Sequence, residues 1–152
     1  TSVEHFAENP MVDSALAVYV RQARAKKIPI DVKIDTPPAF TGDLDFSLLL
    51  CNLLENAIQA EESEEEQLRG ICVRARAPKD SIFLSIKNRC SRVIKLSADG
   101  LPKRSSNTDG HGYGTRSVLH FAKKYDAEYY AKQKDGWFSI LLHVPQVERM
   151  EK

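Results

Sequence analysis

The chain has 152 residues, 42% apolar and 28% charged, the balance of a soluble globular domain with one hydrophobic core. Lys and Arg number 22 against 21 Asp and Glu, so no overall field draws the protein to nucleic acid or an anionic membrane. Cys51, Cys72 and Cys90 lack CxxC spacing and fit reduced cytosolic thiols better than a disulfide framework or a zinc site.

No apolar run approaches the roughly 20 residues of a bilayer span, and no stretch of these residues reads as a signal peptide. The expectation is a single domain over residues 1–152, placed in the cytoplasm and without membrane contact of its own. It starts at Thr1, as an excised or processed piece of a longer protein would.

Asn9-Pro10 reads as an N-cap followed by proline at the first helical position. Met11, Ala15, Val18 and Tyr19 then recur at helical spacing to about Lys26 or Lys27, where Ile28-Pro29 stops the helix. Ile30 to Asp35 alternates apolar and polar, as a half-buried strand does. A second helix is predicted from about Asp43 or Asp45 to Ala60, burying Phe46, Leu49, Leu50, Leu53, Ala57 and Ile58. The acidic run Glu61 to Glu66 reads as a solvated helix end and loop.

Ile71 to Ala77 and Ser81 to Lys87 form a hairpin pattern around Pro78-Lys79-Asp80. Periodicity is lost from Asn88 to about His111, and a structureless stretch of that length suggests a lid, placed at about 89–111. A third helix runs from about Thr115 to Tyr125. Two strands, about Ala127 to Lys132 and Trp137 to Val144, flank the Asp135-Gly136 turn signal. The fold class is α+β: a two-layer α/β sandwich with helices on one face of a mixed sheet. Phe6, Phe40, Phe83, Phe121, Trp137 and Phe138 read as core or near-core aromatics.

Two segments carry chemistry. In Asn52-Leu53-Leu54-Glu55-Asn56-Ala57-Ile58-Gln59, the residues Asn52, Asn56 and Gln59 fall within an arc of roughly 60° on one helix face. Asparagine is a mediocre helix former, and its recurrence at i, i+4 asks for a partner. Amide oxygens suit Mg²⁺ as hard ligands; the alternative is that these amides only bond a neighbouring segment. The second segment, Asp109-Gly110-His111-Gly112-Tyr113-Gly114-Thr115, gathers three of seven glycines at the mouth of a helix. Glycine lets backbone N–H groups approach a ligand, and the helix start adds unpaired donors and a positive dipole end for phosphate. The segment is neither a P-loop nor a dinucleotide-binding fingerprint, because no Gly-Lys-Ser/Thr follows and no strand precedes it.

The run Cys51-Asn52-Leu53-Leu54-Glu55-Asn56-Ala57-Ile58-Gln59-Ala60 resembles the N box of the GHKL superfamily, and Gly110-His111-Gly112-Tyr113-Gly114 resembles its last glycine box. This superfamily shares an ATP-binding fold among histidine kinases, DNA gyrase, MutL and a heat-shock chaperone. The chain resembles most closely the quorum-sensing peptide-receptor type of histidine kinase, from about Asn9 to Pro145. The resemblance implies a Bergerat-type fold with a mostly antiparallel sheet, ATP and Mg²⁺ as cofactors, Asn56 as the metal ligand and Asn52 as a phosphate or metal-shell contact. It implies phosphate binding by Gly110, His111, Gly112, Tyr113, Gly114 and Thr115, a further contact from Gln59, and adenine recognition by Asn88.

At Asn88 the pattern departs. Most members place an Asp there, within Asp-x-Gly-x-Gly, whereas here Asn88-Arg89-Cys90-Ser91-Arg92 follows; an amide oxygen still accepts from an amino group, without charge assistance. Hydrolytic members carry a general-base Glu four residues before the metal Asn, and that position here is Asn52, which takes no proton. The implied activity is therefore transfer of the ATP γ-phosphate to a histidine on a separate dimerisation segment, in a two-component system with a response regulator. The rival readings are an interaction module with decayed catalysis and a serine kinase resembling anti-sigma factors.

Overall fold

The structure, a computed structural model, describes residues 3–102 and 113–150. Its elements are helix α1 (Pro10–Ala25), strand β1 (Ile30–Ile34), helix α2 (Asp43–Glu62), a 3-10 turn (Glu66–Leu68), strands β2 (Ile71–Arg76) and β3 (Ile82–Arg89), helix α3 (Tyr113–Tyr125), and strands β4 (Glu128–Lys134) and β5 (Trp137–Val144). The strands form one sheet in the order β1-β2-β3-β5-β4. β1 runs parallel to β2 and every other pairing is antiparallel. The expected α+β sandwich with a mixed, mostly antiparallel sheet is what the chain adopts.

Alternation along the strands decides what faces the helices. On β3 the buried residues are Ile82, Leu84, Ile86 and Asn88, which side chains of period 2 place on one face. Ile71, Val73 and Ala75 of β2 and Leu142 and Val144 of β5 join them beneath Leu16, Phe46, Leu50, Leu54, Val118 and Phe121 of the helices, and Phe138 of β5 is buried as well. Phe40, Phe46, Phe121 and Phe138 are core residues as expected, but Phe83 and Trp137 are not. They stand on the opposite face of the sheet, where Arg76 lies 4.4 Å from the Phe83 ring centroid and Arg89 lies 5.0 Å from that of Trp137. Odd-numbered positions of β3 and β5 point away from the helices, so their aromatic character alone could not place them in the core.

Asn9 is fully buried and fixes the helical layer. Its Oδ1 accepts from the Met11 and Val12 backbone N–H groups, closing the N-terminus of α1. Its Nδ2 donates to the Pro38 carbonyl and to Asp43 Oδ2 at the start of α2. The expected cap is thus also the tie between two helices. Gly42 precedes α2 at φ 87°, and a Cβ there would stand 2.7 Å from the Tyr125 ring, so the entry to α2 requires glycine. In the β4–β5 hairpin both Asp135 (φ 54°) and Gly136 (φ 81°) adopt the left-handed conformation that a two-residue turn demands.

Candidate functional site

Between the C-terminal half of α2 and the adjoining end of the sheet lies a cleft of about 610 Å³. Leu53, Ala57, Ile86, Phe138 and Ile140 give it an apolar floor, and Asn56, Gln59 and Asn88 add amides to its walls. Arg92 and Lys95, from the segment after β3, bring positive charge to it. Burying a flat apolar surface while presenting a few fixed polar groups is what small-molecule sites do. A depression of about 700 Å³ on the opposite face of the sheet, lined by Arg74, Phe83, Tyr130 and His143 among others, contains none of the sequence-predicted residues.

The cleft brings together three of the predicted site residues. Asn56 and Gln59 enter from α2, three residues apart on one helix face, and Asn88 enters from β3. Asn52 does not line it. Its Nδ2 donates to Ser117 Oγ at 2.7 Å, so this amide holds α2 against the first half of α3. Gly110, His111 and Gly112 lie outside the described residues. Tyr113, Gly114 and Thr115 open α3, whose span is described while their side chains are not. The start of α3 is therefore one helical turn from the residue that Asn52 grips.

The acidic run is solvated at Glu62, Glu65 and Glu66, as expected, and departs from expectation at Glu61 and Glu64. Glu61 is fully buried and Glu64 is 8% exposed, so neither is a solvated helix end. Glu61 Oε1 accepts from the Gly70 backbone N–H at 2.7 Å, and Oε2 accepts from Asn88 Nδ2 at 3.2 Å. Glu64 Oε2 accepts from the Ser91 backbone N–H. Burial pushes the Glu61 carboxyl above its ordinary value, and the bonds from Gly70 and Asn88 oppose that shift. Charge runs are usually solvated, but Glu61 stands seven residues after Leu54 and four after Ala57, in register with the buried stripe of α2. That register was the available signal.

The segment after β3 is not structureless where it is described. Arg89 still belongs to β3. Gln133 of β4 bonds the segment twice, accepting from the Ile94 N–H and donating to the Arg92 carbonyl. Leu101 is fully buried in the core, and Leu96 bridges to Pro102. The predicted lid thus begins on a fixed base, and its remainder, residues 103–111, lies outside the described residues.

Among the described residues no three His, Cys, Asp or Glu side chains converge to hold a metal. The cleft nevertheless suits Mg²⁺ that arrives with a triphosphate, since that ion keeps phosphate and water ligands and needs only one or two from protein. Asn56 lines the cleft, and its amide oxygen is a hard donor of the kind that ion accepts. No helix among the described residues is long and apolar enough to cross a membrane.

Residues 43–145 match the family described as the GHKL domain. No protein of curated function matches the chain. Among solved structures, the nucleotide-free catalytic domain of histidine kinase ThkA superposes over 96% of this chain and 97% of its own, with a TM-score of 0.69 and 13% identity. Full-length ShkA in complex with AMPPNP superposes over 93% of this chain and 30% of that one, with a TM-score of 0.68 and 16% identity. Histidine kinase ThkA in complex with response regulator protein TrrA does so over 91% of this chain and 40% of that one, with a TM-score of 0.65 and 13% identity. At such identities the likeness is one of fold.

Proposed function

The chain belongs to the GHKL family of ATP-binding domains, and from that premise we propose that it is the catalytic domain of a sensor histidine kinase of the quorum-sensing peptide-receptor type. The observation that carries this reading is the meeting of Asn56, Gln59 and Asn88 on one cleft with an apolar floor.

In this reading the purine lies on Leu53, Ala57, Ile86, Phe138 and Ile140, and Asn88 accepts from its amino group. Asn56 offers its amide oxygen to Mg²⁺, which when bound neutralises phosphate charge. The backbone N–H groups of Gly110, His111, Gly112, Tyr113, Gly114 and Thr115 hold the phosphates at the mouth of α3, with Gln59, Arg92 and Lys95 contributing from the cleft. Asn52 orients α3 through Ser117 and so supports the phosphate site from behind.

Transfer to another nucleophile fits this set of residues better than hydrolysis. The position four residues before Asn56 is an amide already engaged with Ser117, and Glu55 is exposed, outside the residues that line the cleft. No general base for water stands on that turn of α2. Phosphoryl transfer asks mainly for positioning and charge neutralisation, which this cleft can supply. The acceptor is a histidine on a dimerisation segment of the same full-length kinase, and a response regulator takes the phosphoryl group onward, on the cytoplasmic side of the membrane. ThkA, a protein of the same fold, is known in complex with its regulator TrrA.

Titration with Mg·ATP analogues tests the site. Asn56→Ala is expected to weaken binding at least about tenfold, or about 1.4 kcal/mol; unchanged affinity would refute the assignment. Acid-labile phosphohistidine on a supplied dimerisation-helix protein supports the kinase. Phosphoserine would favour the anti-sigma-like alternative, and nucleotide binding with no transfer would favour the decayed module that the missing glycines after Asn88 suggest.

A further inference from the structure

The Asn88 amide is held from behind by two acceptors, one of them on Glu61, which does not line the cleft. Asn88 is 7% exposed, and its Nδ2 spends both hydrogens inward, on Glu61 Oε2 and on the Arg89 carbonyl, each at 3.2 Å. A carboxylate and a carbonyl can only accept from an amide, so the nitrogen must face them. Oδ1 is then the atom that the side chain presents to the cleft. Glu61 is in turn immobilised, because its other oxygen takes the Gly70 N–H at 2.7 Å. We infer that Glu61 is a specificity-determining positioning residue, which locks Asn88 with its oxygen toward the base and so selects a purine bearing an amino group over one bearing a carbonyl.

The inference rests on the nucleotide reading above and adds to it the means of choosing adenine. An aspartate at position 88 would be an acceptor in either orientation. An asparagine presents an acceptor or a donor according to which way it is turned, so it needs a keeper. The buried acid at position 61 meets that need, and the chain keeps it buried despite the desolvation cost of a carboxylate.

Glu61→Gln is the discriminating change because it preserves shape and reverses one atom. The buried Gly70 N–H still requires an acceptor, which directs the glutamine oxygen to Gly70 and its NH₂ toward Asn88. Two NH₂ groups then face one another; turning the Asn88 amide removes that conflict but sets Oδ1 against the Arg89 carbonyl, so neither orientation is held as it is in the wild-type protein. The turned amide presents a donor to the base. Inosine triphosphate, with a carbonyl where ATP has its amino group, is the matching probe.

Affinities of Mg·ATP and Mg·ITP are measured for wild type, Glu61→Gln, Asn88→Ala and the double variant. Wild type is expected to prefer ATP, and Glu61→Gln to lose at least about tenfold of that preference. In the Asn88→Ala background, Glu61→Gln should change the ratio no further. A merely structural role for Glu61 would weaken both nucleotides alike, so a retained ratio overturns the assignment while leaving ATP binding intact. Failure of wild type to bind Mg·ATP overturns the functional reading and this assignment with it. Solvent exchange of the Asn88 side-chain NH₂, followed by NMR in the wild-type protein, needs no variant to fold. Slow exchange with and without ATP is expected, and fast exchange in either state overturns the assignment.

Discussion

The acids at the start of α2 sit where a helix dipole favours negative charge, and those at its end sit where the dipole opposes it. Asp43 accepts from Asn9, and Asp45 accepts from Lys124 at 2.8 Å and from the Tyr125 hydroxyl. These are helix-joining contacts at a partly solvated edge. Glu61 and Glu64, at the unfavourable end, are nevertheless the ones withdrawn from solvent. The difference teaches that an acid kept buried against the dipole is retained for its acceptor atoms: Glu61 satisfies Gly70 and turns Asn88, and Glu64 satisfies Ser91.

Three substitutions probe that contrast. Glu61→Ala leaves the Gly70 N–H without its acceptor and takes one of the two acceptors from the Asn88 amide, and should cost about 2–3 kcal/mol in urea unfolding. A loss below about 1 kcal/mol would mean that water replaces the carboxylate and that the two ends of α2 are alike. Asn9→Ala removes the cap of α1 and its tie to Asp43, for a loss of about 1–2 kcal/mol. Asp45→Asn should cost less than about 1 kcal/mol at neutral pH, because its partners are partly solvated.

The last effect depends on pH. The hydrogen bond from Lys124, then that from Tyr125, holds the Asp45 carboxyl below the ordinary aspartate value. A carboxyl depressed on folding contributes stability that is fully present above its unfolded value and lost as pH falls through its folded one. Wild type and Asp45→Asn should therefore differ in Tm at neutral pH and converge in acid. A difference that persists in acid would point to packing.

Much of this was legible in the sequence. The Asn9 cap, the apolar stripe of α2 and the Asp135-Gly136 turn announce themselves because each is local chemistry with one structural solution. The placing of Asn56 and Gln59 followed from helical spacing, and they do share a cleft. Asn52 shows the limit. Spacing put it on the same arc, but Ser117, 65 residues away, takes its amide. Glu61 shows another limit: its register with Leu54 and Ala57 pointed inward, while its neighbours in the acidic run pointed to solvent. Phe83 and Trp137 went astray because an aromatic on the uncovered side of a sheet can be sheltered by a guanidinium as well as by a core.

Of the five strands in this sheet β5 comes latest in the chain, yet it lies not at the rim but between β3 and β4, and two of its residues, Phe138 and Ile140, floor the cleft. A nascent chain that has emerged only as far as α3 has half a pocket, so nucleotide cannot template its early folding on the ribosome. Conversely, a nucleotide that binds only the finished sheet would stabilise the folded chain by an amount that grows with the logarithm of its concentration above Kd. Truncation just before Trp137 would abolish that protection together with the pocket.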